Sequence, residues 1–259
     1  MSDAEKVSDI KKFSLRLKNT ILDMAYEAGA SSSHFGGALS ILEIISILFN
    51  YEMKLKKVKE KDWEIRDRFI LSKGHACLAY YSALYEKGFI SKDQLKTFEK
   101  DDSFLAGHPV KNKDLGIEFS NGSLGMGLSI GIGQAIAAKI KSKPYNVYVI
   151  LGDGECNEGT IWEAALMAST LKLEKLTAFI DFNKWQATGR SEEIMSLQPL
   201  NLKWEAFGWH VQEINGHNFN EMEEAFNNAR QIKNKPSVII ANTIKGKGVS
   251  FMEDDNNWH

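Results

Sequence analysis

The stretch Gly152–Asn183, GDGECNEGTIWEAALMASTLKLEKLTAFIDFN, decides how the chain is read. It opens with Gly-Asp-Gly at the end of the apolar run YNVYVIL, and it closes with an asparagine just after a second such run, LTAFIDF. The segment reads as strand, helix, strand. In a right-handed β-α-β crossover the carboxyl ends of both strands emerge on one edge of the sheet. If the two strands flank a switch point, ligands bind in the crevice beyond those ends. Asp153 and Asn183 are therefore expected to converge although 30 positions separate them. One carboxylate and one amide oxygen are too few to cage calcium. They suit Mg²⁺, which keeps octahedral geometry and takes its other ligands from water and phosphate oxygens. Gly152 and Gly154 let the backbone approach such a phosphate, and a helix starting near Gly159 points its positive end toward it. Asp-Gly is also a common turn pair, and an asparagine after a strand is ordinary loop chemistry. The combination on two strand exits is what favours a metal–diphosphate anchor.

Working outward, strands are expected at 145–151, 176–182, 209–214 and 236–243, with helices at 159–171, near 200–207 and at 218–231. Residues 5–28 read as an amphipathic helix, and SSSHFGG as a loop leading into a buried helix around Ala38–Asn50. RFILSKGHACLAYYSALYEKG reads as a short strand, a Lys73-Gly74-His75 turn and a helix to about Glu86, with Gly88 just past its end. Ser91 is a good N-cap for a short exposed helix, and 101–122 is irregular. SLGMGLSIGIGQAIAAKIK is a helix carrying Gly125, Gly127, Gly131 and Gly133. Each glycine costs a helix about 1 kcal/mol relative to alanine, so their number points to close packing against a strand, a helix or a ligand. Strands alternating with helices, with no repeat or Pro-rich linker, predict an α/β fold. The expected architecture is a doubly wound, mainly parallel sheet with helices on both faces, in one domain spanning 1–259.

Composition narrows the function. The 259 residues are 43% hydrophobic, and a formal net charge of −2 with 32 Lys and Arg spread along the chain offers no nucleic-acid face. The densest basic run, MKLKKVKEKDWEIRDR, is interrupted by acids and reads as solvated surface. Two cysteines, Cys77 and Cys156, make neither a disulfide framework nor a Cys-rich zinc site and fit a reducing cytoplasm. Cys156 reads as a small packed thiol. The amino terminus has no apolar signal core. ALSILEIISILF is broken by Glu43 and falls short of the roughly 20 residues a membrane helix needs, so a soluble, cytoplasmic protein is expected. GIGQA follows no strand and KGKG is too short for a P-loop, so neither is read as a nucleotide motif.

Gly-Asp-Gly followed thirty positions later by Asn resembles the thiamine-diphosphate motif. The closest family is transketolase, specifically the separate N-terminal subunit of its split enzymes. The likeness extends through SSSHFGG, DRFILSKGHA, AGHP, NGSLGMGLS, GDGECNEGTIWEAA, MSLQPLNLKWEAFGWHV, INGHNF, TIKGKGVSFMED and the final WH. The resemblance implies that Asp153 and Asn183 ligate Mg²⁺ through side chains and Trp185 through its backbone carbonyl. Gly152, Gly154, Lys73, His75 and Lys245 match positions near the diphosphate, and Gly122, Ser123 and Leu124 match the loop meeting the cofactor rings. His34, His108 and His259, together with His75, match histidines over the reactive carbon that bind ketose hydroxyls and move protons. Such work suits a group titrating near neutral pH. Glu158 matches an acid at the subunit interface. His210 and His217 read instead as a solvated residue and a loop-pinning residue, and Lys245 and Lys247 would on residue type alone pass for exposed.

In the family, the glutamate that activates the aminopyrimidine and the arginines that hold the sugar phosphate lie beyond this domain. The resemblance thus implies half an active site, completed by a separate C-terminal subunit with pyrimidine-binding and C-terminal domains in an α2β2 assembly. The activity implied is transfer of a two-carbon ketol unit from a ketose phosphate to an aldose. Phe35, Asn121, Ala187 and Thr188 depart from the common pattern, the last two where branched apolar and acidic residues are usual, so a specialised sugar is an open alternative. A thiamine enzyme acting on a 2-oxo acid and a non-catalytic homologue stay open as well.

Overall fold

The computed structural model describes residues 3–29, 34–55 and 64–259. The chain runs through α1 (Asp3–Ala28), α2 (Phe35–Leu39) and α3 (Leu42–Ile47), the last continued by a wider turn at Leu48–Glu52. There follow β1 (Arg68–Leu71), α4 (Cys77–Glu86), α5 (Lys92–Leu95), α6 (Gly127–Ile140), β2 (Val147–Gly152), α7 (Gly159–Thr170) and β3 (Leu176–Phe182). A small hairpin, β4 (Trp185–Gln186) and β5 (Gly189–Arg190), leads to α8 (Ser191–Met195) and α9 (Leu200–Ala206). The fold ends with β6 (His210–Asn215), α10 (Phe219–Gln231), β7 (Ser237–Asn242) and an irregular segment to His259.

The runs VYVILG, LTAFIDF and SVIIAN are almost wholly apolar, which suits strands covered on both faces. They form the centre of a five-stranded parallel sheet in the order β1-β2-β3-β7-β6. Alternate side chains feed two cores. Tyr148 and Ile150 join α1, α3, α4 and α10, whereas Val147, Val149 and Leu151 join α6, α7 and α9. The expected α/β architecture is the one observed.

Boundaries agree to within about two residues for the strands and the long first helix; the capped helix α5 starts as expected, with Ser91 and Gln94 in a reciprocal capping box, but ends at Leu95, short of the expected Lys100. The expected helix over Ala38–Asn50 is instead broken at Ser40 and Ile41, where Ile41 leaves helical dihedrals at φ −104° and ψ 9°; the Ser40 hydroxyl bonds the Asp181 carboxylate at 2.6 Å. The segment between β3 and α9, read as loop and helix, also holds the β4–β5 hairpin and α8. The basic run is not wholly solvated either: Arg66 and Arg68 at its end are buried against Glu118, at 2.6 and 3.5 Å. Its residues 56–63, and 30–33 of the Ser/Gly loop, lie outside the described residues.

The chain reverses direction beyond β3, since it passes to β6 and returns to β7. Helices α7 and α9 pack on one face and α10, which joins β6 to β7, on the other. The switch point therefore falls at β3/β7, one strand beyond the β2/β3 pair. Asp153 and Asn183 still share an edge, because β2 and β3 are adjacent and parallel with Gly152 opposite Asp181.

The glycines of α6 divide by surroundings. A Cβ on Gly131 would lie 2.6 Å from Val149 Cγ2, while one on Gly133 would meet nothing within 4 Å. Gly131→Ala is expected to destabilise the chain by about 1–3 kcal/mol through overpacking. Gly133→Ala is expected to stabilise it by up to about 1 kcal/mol through helix propensity. Urea unfolding of the two variants checks both signs.

Candidate active site

The strand exits bring the functional residues together. Asp153, buried at the exit of β2, accepts the Gly154 N–H on Oδ1 at 2.8 Å. Its Oδ2 accepts the Lys184 N–H at 2.8 Å and the Ser191 hydroxyl at 2.9 Å. Asn183 follows β3; its Oδ1 accepts the Trp185 N–H at 3.0 Å and its Nδ2 donates to Asp181 at 2.8 Å. The amide of Lys184, next to Asn183, thus bonds the Asp153 carboxylate, so the two expected ligands stand on one edge. A carboxylate offers about four lone-pair directions and an amide oxygen two. Each therefore retains one among its bonds to the described residues. Burial pushes the Asp153 carboxyl up to about 6, and the nearby Asp181 charge acts in the same direction.

Beneath them lies Asp181, completely buried, which the sequence reading did not single out. It pairs with the buried ammonium of Lys73 and accepts the hydroxyls of Ser40 and Thr243 and the amide of Asn183. Burial alone would raise its pKa, but Lys73 and these donors hold it below the usual carboxylate range. Lys73 also donates to the Gly37 carbonyl at 3.1 Å. Lys245 is buried beside this group instead of exposed, and burial, then Lys73, brings its pKa down to about 8. Lys247 is part-exposed and pairs with Glu253 at 3.3 Å. The glycines of HFGG let α2 come close. A Cβ on Gly36 would lie 2.7 Å from Lys245 Cγ, and one on Gly37 would lie 3.1 Å from the His75 ring.

Four histidines gather above these cations. His34 lies 5.7 Å from His75, 5.9 Å from His108 and 5.4 Å from His259, centroid to centroid, and His75 lies 5.5 Å from His259. Burial lowers the pKa of His34, with His108 adding to it, and sends His75 well below its ordinary value, with Lys73 adding to it. Burial and then Lys245 bring His259 down to about 4. The other two histidines stand apart. His217 pins a loop, as read, accepting the Ile244 N–H at 2.8 Å and meeting Glu43 at 3.0 Å. His210 begins β6 at the opposite end of the sheet, partly buried and not freely solvated.

The open rim is formed by Gly122, Ser123 and Leu124, all exposed; a Cβ on Gly122 would lie 3.9 Å from His108. Glu158 is exposed beside this loop, its Cβ 2.8 Å from where Gly125 would carry one. The start of α7 meets the same loop through Thr160 Oγ1 and the Gly125 carbonyl at 3.0 Å. A short 3₁₀ turn, Gly154–Asn157, separates that helix from Asp153, so turn amides take the place expected of the helix end. Glu155, another unread acid, is buried. It accepts Ser72 Oγ, the Gly125 N–H at 2.8 Å and the Gly152 N–H at 3.0 Å, joining the rim loop to the Gly-Asp-Gly loop. Cys156 is fully buried, as a packed thiol should be.

This donor set fits a divalent ion with a diphosphate. Two oxygen ligands stand near two buried lysines, and a Cβ on Gly154 would lie 2.8 Å from Gln186 Cγ. Three buried polar atoms around it, His34 Nδ1, Asn121 Oδ1 and Gln186 Nε2, have no partner among the described residues. Buried polar atoms are normally bonded, and a polar ligand bound here would offer them partners.

A parallel sheet with convergent acid, amide, lysines and histidines at its carboxyl edge defines a cofactor-binding α/β domain. The chain belongs to the transketolase family: residues 16–259 match the family model for "Transketolase, thiamine diphosphate binding domain". It is 45% identical to the 6-deoxy-6-sulfo-D-fructose transketolase subunit SqwG of Clostridium sp. (strain MSTE9), over 85% of this chain and 80% of that one. It is 41% identical to an apulose-4-phosphate transketolase subunit of Phocaeicola vulgatus, over 98% and 89% of the two chains. Among solved structures, transketolase from Campylobacter jejuni superposes with a TM-score of 0.90 at 31% identity. That match covers 96% of this chain and 40% of the other, so the chain spans about two-fifths of that solved transketolase. No helix among the described residues is long and apolar enough to cross a membrane.

Two outcomes follow from the buried charges. Asp181→Asn strands Lys73 as an uncompensated buried cation and is expected to cost about 3–5 kcal/mol in urea unfolding. His259 binds a proton at about 4 when folded and near 6.5 when unfolded. Between those values the unfolded chain holds more protons, so stability is full above pH 6.5 and is lost as pH falls toward 4. Unfolding measured against pH should therefore show a shallower acid loss in His259→Gln than in the parent chain.

Proposed function

We propose that this chain is the diphosphate-binding subunit of a two-component transketolase, one domain that binds thiamine diphosphate with Mg²⁺ and acts only with a separate C-terminal subunit. The observation that carries this reading is the convergence of Asp153, Asn183, two buried lysines and four histidines on one sheet edge. Asp153 and Asn183 would hold the ion, with the Trp185 carbonyl beside them. Lys73, Lys245 and the amides around Gly152 and Gly154 would face the diphosphate, and His75 would stand next to it. Asp181 orients the Asn183 amide by accepting its N–H, which turns the carbonyl oxygen outward. Gly122, Ser123 and Leu124 would meet the cofactor rings.

The cofactor supplies an acidic ring carbon able to add to a carbonyl, which no side chain offers. The chain supplies orientation and proton handling. With their pKa values lowered, His34, His75 and His259 are neutral at pH 7, ready to accept a proton from a ketose hydroxyl or donate through the other ring nitrogen. His108 stands with them over the same opening.

The partner fits the open side. Leu124, Met126 and Ile130 on the rim and α6, and Leu166 and Met167 on α7, are exposed apolar residues, and Glu158, also exposed, stands beside the rim loop. A large exposed apolar surface marks an interaction site, and here a C-terminal subunit would cover it and close the pocket, with α2β2 the assembly proposed. The donor would be a ketose with an anionic far end, as the names of the relatives, which carry a sulfosugar and a sugar phosphate, suggest. The setting proposed is the cytoplasm.

The test is calorimetry and turnover together. Thiamine diphosphate should bind in a Mg²⁺-dependent way, and Asp153→Asn should lower that affinity by at least tenfold. Ketol transfer from xylulose 5-phosphate, apulose 4-phosphate or 6-deoxy-6-sulfofructose should need the partner. Unaided turnover would refute the half-site, and turnover of pyruvate in place of every ketose would refute the ketol reading.

A further inference from the structure

The segment after β7 returns across the sheet edge as a strap that carries Lys245 near its start and His259 at its end. Its backbone is fastened by the Gly246 N–H to the Gly36 carbonyl at 3.0 Å and by the Asp254 N–H to the Lys245 carbonyl at 2.8 Å. Facing it is the β4–β5 hairpin, which starts two residues after Asn183. Between strap and hairpin lies a three-residue clasp. The Arg190 guanidinium sits 3.8 Å from the centroid of the Trp185 ring and donates to both Asp254 oxygens, each at 2.7 Å. The Trp185 indole N–H donates to the same carboxylate at 2.8 Å.

An isolated surface ion pair contributes little. This one differs in kind, because a planar fork meets a carboxylate on two bonds while stacked on an aromatic face, with a third donor from that ring. Asp254 also holds φ +57°, in the left-handed region, where aspartate is among the more frequent non-glycine residues. From the clasp the contacts run inward. Two residues on, Asn256 Nδ2 donates to the Ala187 carbonyl of the hairpin at 3.1 Å, and its Oδ1 accepts Lys245 Nζ at 2.6 Å. Lys245 Nζ lies 2.7 Å from His259 Nδ1, and His259 closes the histidine cluster.

We propose that Arg190 and Asp254 are positioning residues. Their clasp locks the strap to the hairpin that leaves the Asn183 loop, so that Lys245 and His259 are held in the site from the side opposite β1. The effect on ligand binding rests on the function proposed above, whereas the fastening of the strap does not. Sequence spacing could not reveal it, since Arg190 and Asp254 lie 64 positions apart, one in the hairpin and one in the strap.

Hydrogen exchange on the full chain tests the fastening. Arg190→Met and Asp254→Asn should each speed exchange of the Gly246 and Asp254 amides about tenfold, with core amides of β2 and β3 unchanged as the folding control. The double variant should add nothing to either single one, and Arg190→Lys, which keeps charge but not the fork, should fall between. Calorimetry with Mg²⁺ should show the thiamine diphosphate Kd raised about tenfold in both single variants. Unchanged strap exchange, additive effects in the double variant, or faster exchange with an unchanged Kd would each overturn the proposal. If the parent chain binds no thiamine diphosphate, the proposed function fails and the exchange pattern alone decides the clasp.

Discussion

The buried ion pair between Lys73 and Asp181 is the constraint on which the site depends. Removing two charges from water costs several kcal/mol per ion, which attraction offsets only when the remaining bonds are made. They are made here from every side: Ser40 and the Gly37 carbonyl from α2 and the turn after it, Thr243 after β7, and Asn183 after β3. Lys73 itself follows β1. The pair therefore draws four strand and helix ends to one point, and Asn183 takes its orientation directly from it. A sheet edge alone would bring these loops near one another; the shared charge fixes where they meet.

The same cations set the character of the histidines. Burial is the main cause of their lowered pKa values, and Lys73 or Lys245 adds to it for His75 and His259. An anion placed against these lysines would cancel part of that contribution and move the imidazoles back toward neutral pH. Binding and proton capacity are thereby linked through one set of charges. A proton shuttle works best when its pKa is near the working pH, so a loaded site would be better tuned than an empty one.

Much of this was legible in the sequence, for physical reasons that can be named. Strands buried on both faces leave unbroken apolar runs, and parallel pairing sends their exits to one edge, so Asp153 and Asn183 could be brought together from spacing alone. The histidines entered through resemblance, and the structure gathers all four. What escaped was buried polarity whose partners are distant in sequence. Asp181 did leave a signal, an acid inside the apolar run LTAFIDF, because a charge there must be paired. Ser40, which bonds Asp181, left none, since Ala38–Asn50 is apolar enough to read as one helix. Lys245 came toward the site only through resemblance, because residue type alone says nothing of the strap that covers it. The switch point moved by one strand because strand order depends on where β6 lies, and local pattern does not encode that.

The costs carried by this sheet edge also weigh against a homologue that has kept the fold and lost the chemistry. His34 Nδ1, Asn121 Oδ1 and Gln186 Nε2 are buried without partners among the described residues. A buried unsatisfied polar atom costs about 1–3 kcal/mol, a large share of the 5–15 kcal/mol by which domains are stable. Among the described residues, buried Lys245 has neutral hydrogen-bond partners, Asn256 and His259. Asp153 holds a raised carboxyl beside a second acid. A scaffold gains nothing from such features, and small apolar replacements would relieve each of them. They make sense together if one ligand, a metal-bound anion with a polar ring system, satisfies the orphaned atoms and neutralises the lysines at once. Binding would then return locally what these features cost, as expected of a site maintained for function.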